Sequence, residues 1–301
     1  MMIFGHDDEF YNIVDSVLKE FLKIDEYDNG NCFPGFNAAI EAEKLIHYIR
    51  HTVTETGGKG AVIGISGGKD SAVVAALAVK ALGADNIIGC ILPKHETNLQ
   101  YNQSMYDDKD SYRAVAFCKK LKIKHVVEPI TQNVTNILNG IYLVLKWNGI
   151  IGKNDNLDSS VSINIQPRLR MTILYAIAQQ LHYRVLGTGN LSENFVGYCT
   201  KWGDTACDIN PIHDYLTTEI VKIGEVLDVW DEVLYQAPAD GLTGKTDEEV
   251  LGISYDEINK NIINYYLNDR KLEAIDNLIV REMFENSRHK TGVDNYYHRF
   301  K

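Results

Sequence analysis

The chain has 301 residues, 45% of them hydrophobic and 24% charged. These are the proportions of a soluble globular protein; they exclude a fibrous or disordered architecture and suit one large α/β domain with helical additions. Its 41 acidic and 30 basic side chains give a formal charge of −11, which opposes non-specific attraction to nucleic acids or anionic membranes, so neither is an expected partner.

Phe10, Val14, Val17, Leu18 and Phe21 share one helical face over 8–23. Residues 1–36 therefore read as an N-terminal helical extension ahead of a catalytic domain over 37–301. A second amphipathic helix presents Ala42, Leu45, Ile46, Ile49 and Val53 and ends at Gly57-Gly58. Ala61 to Ile65 is a short apolar run leading through Ser66-Gly67-Gly68-Lys69 into an alanine-rich helix from Ser71 to Leu82. Ile87 to Leu92, Ile123 to Val127 and Tyr183 to Leu186 are further runs of strand length, separated by helix-length segments. That alternation predicts βαβ units and a parallel, doubly wound α/β sheet with right-handed crossovers. Pro167 fits the first turn of a helix reaching Leu181. The polar stretches 94–107 and 146–162 lack a period and are expected to be mobile loops that serve as lids. The C-terminal third reads as helical, with capping boxes at Thr246/Glu249 and Ser254/Glu257.

The start of the chain, Met1 to Phe10, lacks a secretory pattern, and no run reaches the length of a membrane span. The five cysteines Cys32, Cys90, Cys118, Cys199 and Cys207 include no C-x-x-C pair. A reducing, cytoplasmic setting is expected.

The segment Gly64-Ile-Ser66-Gly67-Gly68-Lys69-Asp70-Ser71 joins a buried strand to a helix, so its backbone N–H groups and the positive helix end converge on an anion such as phosphate. Asp70 directly after Lys69 excludes a Walker A loop, and the spacing is not G-x-G-x-x-G, which disfavours GTPases and Rossmann dehydrogenases. An acidic side chain in a phosphate site is best explained as a Mg²⁺ ligand. Ser-Gly-Gly-x-Asp-Ser resembles the loop of the N-type ATP pyrophosphatases, which split ATP between its α- and β-phosphates to make adenylates. That superfamily includes several amide-forming ligases and tRNA-modifying enzymes.

Two further blocks narrow the choice. Asn164-Ile-Gln-Pro-Arg168-Leu-Arg170-Met171 is the first. The second is Gly187-Thr188-Gly-Asn-Leu-Ser-Glu193 followed by Gly197-Tyr-Cys-Thr-Lys201-Trp-Gly203-Asp204-x3-Asp208-Ile-Asn-Pro211. Both resemble NAD synthetases in order and spacing. The likeness continues through Thr246 to Tyr255 and Arg288-His289-Lys290, and covers about 36–290. No glutaminase domain accompanies it, so the resemblance is to the short, ammonia-dependent form. It implies that ATP, with Mg²⁺, drives amidation of nicotinic acid adenine dinucleotide (deamido-NAD) by ammonia in a homodimer. It assigns Gly64, Ser66, Gly67, Gly68, Lys69, Asp70, Ser71 and Thr188 to ATP, and Asp70 and Glu193 to Mg²⁺. Asn164, Arg168, Lys201, Asp204, Asp208, His289 and Lys290 fall to the dinucleotide. Asp204 is also a candidate acceptor for the proton lost from ammonium, which makes Asp70, Glu193 and Asp204 the expected catalytic group.

The sequence departs from the family pattern twice. Thr217 occupies the position of a Lys that contacts ATP, and Ala239 that of a Thr with a similar role; Lys69, Lys94 and Lys222 are candidates to compensate. His47 and His51 have a metal-like spacing but no third ligand, and read as exposed histidines. Cys199 and Cys207 read as packing residues, because adenylation needs no enzyme nucleophile. Trp147 and Trp202 are candidates to stack on a ring of the substrate, and Trp230 reads as core. Two other functions remain open: another adenylating ligase of the superfamily, and a nucleotide-binding regulatory protein that has lost turnover.

Overall fold

Apolar runs buried on both faces form the strands over 61–64, 87–91 and 184–186, a half-exposed run over 124–127 forms an edge strand, and amphipathic helices cover the sheet. The computed structural model describes residues 31–94, 109–152, 154–236 and 246–291. The helix expected over 8–23, most of the first lid candidate and Ala239 lie outside these residues. In chain order the elements are α1 (Ala38–Glu55), β1 (Ala61–Gly64), α2 (Lys69–Leu82), β2 (Ile87–Ile91), α3 (Lys109–Lys120), β3 (Lys124–Val127), α4 (Thr131–Trp147), α5 (Ser159–Leu181) and β4 (Arg184–Leu186). Then come α6 (Leu191–Val196), α7 (Thr217–Val226), α8 (Asp231–Leu234), α9 (Asp247–Leu251), α10 (Tyr255–Leu267) and α11 (Leu278–Thr291).

The strands form a parallel four-stranded sheet in the order β3-β2-β1-β4. Val62 of β1 lies between Ile88 of β2 and Val185 of β4. Side chains alternate across the sheet. Ala61 and Ile63 pack with α1, α2, α3 and α7 on one face. Val62 and Val185 pack with Val134 of α4 and Met171, Leu174 and Ala178 of α5 on the other. A third apolar cluster, built from Phe195, Leu216, Ile258, Ile262 and Val280, joins α6, α10 and α11 into the C-terminal helical layer. The chain runs outward from β1 through β2 to β3, then returns to place β4 on the other side of β1. This reversal opens a crevice at the carboxyl ends of β1 and β4, where open α/β sheets bind ligands.

Two expectations need correction. Pro167 lies inside α5, not in its first turn; the helix begins earlier because Asp158 caps it, accepting the Ser160 N–H at 2.8 Å. Pro167 has no N–H to return to the helix, and its ring packs against Gly203, where an added Cβ would come within 3.0 Å of it. The polar stretch 146–162 is also shorter as a loop than expected, since Lys146 and Trp147 end α4 and 159–162 already belong to α5.

Candidate active site

Cavities of about 500 and 640 Å³ meet in the crevice. Gly64, Leu92, Lys94, Asp110 and Ser111 line the first, and Asp70, Glu193, Lys201, Trp202, Asp247 and Lys290 line the second. Ser66, Pro167, Arg170, Thr188 and Asp204 line both, so the two form one cleft.

The loop after β1 closes on itself. Ser71 Oγ accepts the Ser66 N–H at 3.2 Å and donates to the Gly68 carbonyl at 3.0 Å, while Ser66 Oγ accepts the Gly68 N–H at 3.2 Å. Gly67 has φ +91°, and a Cβ there would meet the Asp110 carbonyl oxygen at 2.4 Å, so only glycine fits beneath α3. Gly68 caps α2 without a side chain. The N–H groups of the first turn of α2 are therefore left for an anionic ligand.

Asp70 and Glu193 reach the cleft from the first turns of α2 and α6. Asn190, fully buried, ties them together. Its Oδ1 accepts the Glu193 N–H at 2.9 Å, its own N–H donates to Glu193 Oε2 at 3.2 Å, and its Nδ2 donates to Asp70 Oδ1 at 3.3 Å. The signal for this bracket was present as Asn190 followed three residues later by Glu193, a capping box that the sequence reading passed over. Burial, and then the negative charge of Asp70, push the Glu193 carboxyl above its ordinary range. Lys69 Nζ lies 3.2 Å from Asp70 Oδ2 and 5.8 Å from the Tyr255 ring centroid. Burial lowers the Lys69 ammonium, but Asp70 and Glu193 outweigh that and hold it above its usual value. Among the described residues no third acidic, His or Cys side chain joins Asp70 and Glu193. This pair of hard oxygen donors fits an ion that completes its shell with ligand phosphate and water.

The opposite wall joins 197–204 to α11. Lys201 Nζ donates to the His289 carbonyl at 2.8 Å, and Lys290 Nζ donates to the Gly197 and Cys199 carbonyls at 3.0 and 3.2 Å. Asp204 Oδ1 accepts the Thr200 N–H at 2.7 Å, and Thr200 Oγ1 donates to Asn164 Oδ1 at 2.8 Å. The surrounding protein raises the Asp204 carboxyl, although solvent reaches it through the cleft, and the Thr200 and Thr205 N–H groups oppose that rise.

The cleft thus gathers Gly64, Ser66, Asp70, Ser71, Asn164, Thr188, Glu193, Lys201, Asp204 and Lys290 along its walls. Gly67, Gly68 and Lys69 shape the loop from behind. Arg168 and His289 are exposed and do not line the cleft; Arg168 Nε donates to the Lys201 carbonyl at 3.2 Å. Asp208 is engaged elsewhere, its Oδ2 accepting the Val185 N–H at 2.8 Å beside β4. Thr217 is a correction. It is buried away from both cavities, its N–H donating to Ser192 Oγ and its Oγ1 accepting from Asn259 Nδ2, each at 3.1 Å. The start of α7 faces α6 and α10 here, so the Thr217 side chain is taken up in that packing and lines neither cavity. Of the two stacking candidates, Trp202 lines the second cavity, whereas Trp147 ends α4, is 91% exposed and lines neither. Trp230 packs edge-on to Phe117 in the core. Sequence reasoning missed Asp247, a buried residue that lines the cleft and accepts hydrogen bonds from the Tyr198 and Tyr255 hydroxyls at 3.2 and 3.3 Å.

A family model described as NAD synthase matches residues 41–294. The NH(3)-dependent NAD(+) synthetase of Methanococcus aeolicus is 36% identical over 229 residues, 76% of this chain and 83% of that protein. That of Methanocaldococcus jannaschii is 36% identical over 233 residues, 77% and 83% of the two chains. Among solved structures, NMN synthetase from Francisella tularensis superimposes with a TM-score of 0.71 at 30% identity, over 88% of this chain and 100% of that one. The NH3-dependent NAD synthetase from Campylobacter jejuni shares the fold, with a TM-score of 0.65 at 23% identity over 87% and 100%. Carrying the glycine loop and the Asp70–Glu193 pair in a cleft at the reversal of its sheet, and matched over most of its length, the chain belongs to the NAD synthase family, ATP-using ligases that make NAD(+) with ammonia.

Proposed function

We propose that this enzyme amidates nicotinic acid adenine dinucleotide through an adenylate, with ATP in the first cavity and the nicotinate end of the dinucleotide in the second. The observation that carries the reading is the uncapped first turn of α2, set behind the glycine loop and beside the Asn190-bridged carboxylates where the cavities meet. A nicotinate carboxylate oxygen attacks the α-phosphorus in line; an O–P bond forms, the bridge to the β-phosphorus breaks, and pyrophosphate leaves toward the turn between Ser66 and Ser71. Ammonia then attacks the acyl carbon; the C–N bond forms, the C–O bond to AMP breaks, and Asp204 receives the proton lost by nitrogen. The raised Asp204 carboxyl suits that acceptance. Asp70 and Glu193 would hold Mg²⁺, which when bound neutralises triphosphate charge. Lys201 and Lys290 face the phosphates of the dinucleotide, and Arg168 and His289 flank them.

A homodimer completes the proposal. Leu143, Val144 and Trp147 of α4, with Ile150 just after the helix, expose apolar side chains that a second copy would cover. Light scattering should report a dimer, and Trp147→Asp a monomer. The cytoplasm is the proposed location, in keeping with five cysteines that are all free thiols.

Purified protein given deamido-NAD, ATP, Mg²⁺ and ammonium should form NAD and pyrophosphate one for one; binding without product would leave a regulatory protein. The likeness to an NMN synthetase supports a second reading, with nicotinic acid mononucleotide as the acceptor. A higher kcat/KM for the mononucleotide than for the dinucleotide would establish it.

A further inference from the structure

The family pattern has a lysine at position 217; here that residue is a buried threonine, and three of the cations around the cleft already have partners, while Lys94 lines the first cavity alone. Lys69 is paired with Asp70, while Lys201 and Lys290 hold backbone carbonyls of the far wall. Arg170 is placed differently. It rises from α5 where the cavities join and lines both, together with Ser66, Thr188 and Asp204. Its Nε donates to the Leu92 carbonyl just beyond β2 at 2.9 Å, which anchors the plane of the guanidinium to the wall. One carbonyl satisfies one of five N–H donors. Among the described residues, neither Nη1 nor Nη2 has a protein acceptor within hydrogen-bond distance. An anchored fork with its remaining donors turned to a cleft is the geometry that receives two oxygens of one phosphate or carboxylate.

The position decides between those ligands. A residue confined to the first cavity would meet nucleotide alone, and one confined to the second would meet the acceptor alone. The two substrates meet only where the carboxylate oxygen of one attacks the α-phosphorus of the other, and both atoms must lie at the junction. We infer that Arg170 is a catalytic residue of adenylation, its Nη groups binding the α-phosphate oxygens as the nicotinate oxygen bonds to phosphorus and the bridging oxygen departs with pyrophosphate. Charge concentrates on those oxygens as the bond order changes, so the interaction is stronger at that point than with either substrate alone. A guanidinium there also lowers the repulsion between an anionic carboxylate and an anionic phosphate as they approach. In this chain Arg170 supplies positive charge to ATP, which the buried Thr217 does not.

This inference rests on the adenylation reading, and the test separates the two. Pyrophosphate release is followed in a single turnover with ATP, Mg²⁺ and deamido-NAD but no ammonium, which reads adenylation alone, for the parent enzyme, Arg170→Ala and Arg170→Lys. The Arg170→Ala rate should fall on the order of a hundredfold or more, with the KM values for ATP and deamido-NAD in steady state within about threefold of the parent. Added guanidinium should restore part of the lost rate in Arg170→Ala. If Arg170→Ala does not fold, Arg170→Lys serves, because it keeps the stem and the charge but loses the fork; its rate should fall about tenfold or more. A parent that releases no pyrophosphate overturns the adenylation reading. An active parent with an unimpaired variant, or a variant whose loss lies in KM and melting temperature with no response to guanidinium, overturns the role of Arg170 and leaves that reading intact.

Discussion

The two walls of the cleft are built from opposite kinds of contact. At the ends of β1 and β4, Asp70 and Glu193 are held by one buried asparagine whose own position is fixed by the start of α6. Across the cleft, the ammonium groups of Lys201 and Lys290 cross between 197–201 and α11, and their acceptors are neutral backbone carbonyls. The first wall presents charge that is already aimed, on side chains anchored next to strands. The second presents charge that closes a clasp between two segments, and an arriving phosphate would replace a carbonyl as the partner of each ammonium. Under the proposed function, a site divided in this way keeps its reacting end rigid and lets its binding end adjust.

The sharpest way to break this comparison is to remove charge from the first wall while keeping its shape. Glu193→Gln should lower kcat roughly a hundredfold to a thousandfold, measured as pyrophosphate release at saturating substrates; undiminished turnover would mean that the carboxylate pair is scaffolding. Asn190→Ala should leave both carboxylates in place but loosely aimed. Activity is expected to fall about 10–100-fold with a higher Mg²⁺ requirement, and loss of the cap should lower stability by about 1 kcal/mol. On the second wall, Lys290→Ala should raise KM for the dinucleotide about tenfold and spare kcat. A loss confined to kcat would place Lys290 with the reacting atoms and erase the distinction between the walls. Thr217→Val tests the corrected position: melting should show a loss of about 1 kcal/mol from the broken Asn259 bond, with KM for ATP unchanged.

The smallest effect concerns pH. Glu219 is buried at the start of α7, where its carboxylate oxygens accept the Phe33 and Leu216 N–H groups at 2.9 and 3.0 Å, and burial raises its carboxyl above the ordinary value. The folded state therefore binds its proton more tightly than the unfolded chain does. The stabilisation is complete below the unfolded carboxyl's pKa and is lost as pH rises through the raised folded value. Glu219→Gln should flatten the decline in melting temperature across that window; an unchanged slope would assign the dependence to other groups.

The contrast between the walls also explains what the sequence made legible. β1, β2 and β4 were readable as short apolar runs, β3 through the apolar Ile123, Val126 and Val127 around its polar start, and β1 with its loop fixed where a phosphate would lie. Asp70 and Glu193 could be paired in advance because both follow such strand ends. Asn190 was harder to find, since its hydrogen bond to Asp70 crosses 120 residues and no local spacing encodes it. Thr217 shows the opposite error. Its alignment with a family lysine said nothing about the direction of α7, which is set by packing of Ile220 and Ile223 with α1 and α2 and of Leu216, just before the helix, in the C-terminal layer. Pro167 misled because proline favours first turns, yet the chain tolerates it inside α5, where its ring packs on Gly203 and lines the junction of the cavities. Arg170 stood in a quoted block without a role, because only the fold reveals that it borders both cavities.

The most direct test of the adenylation chemistry follows one oxygen. Deamido-NAD labelled with ¹⁸O in the nicotinate carboxylate is converted by the parent enzyme with ATP, Mg²⁺ and ammonium, and the phosphorus products are weighed by mass spectrometry. Attack of the carboxylate on the α-phosphorus predicts one labelled oxygen in AMP for each NAD formed. Label in pyrophosphate or orthophosphate, or AMP free of label, would contradict it.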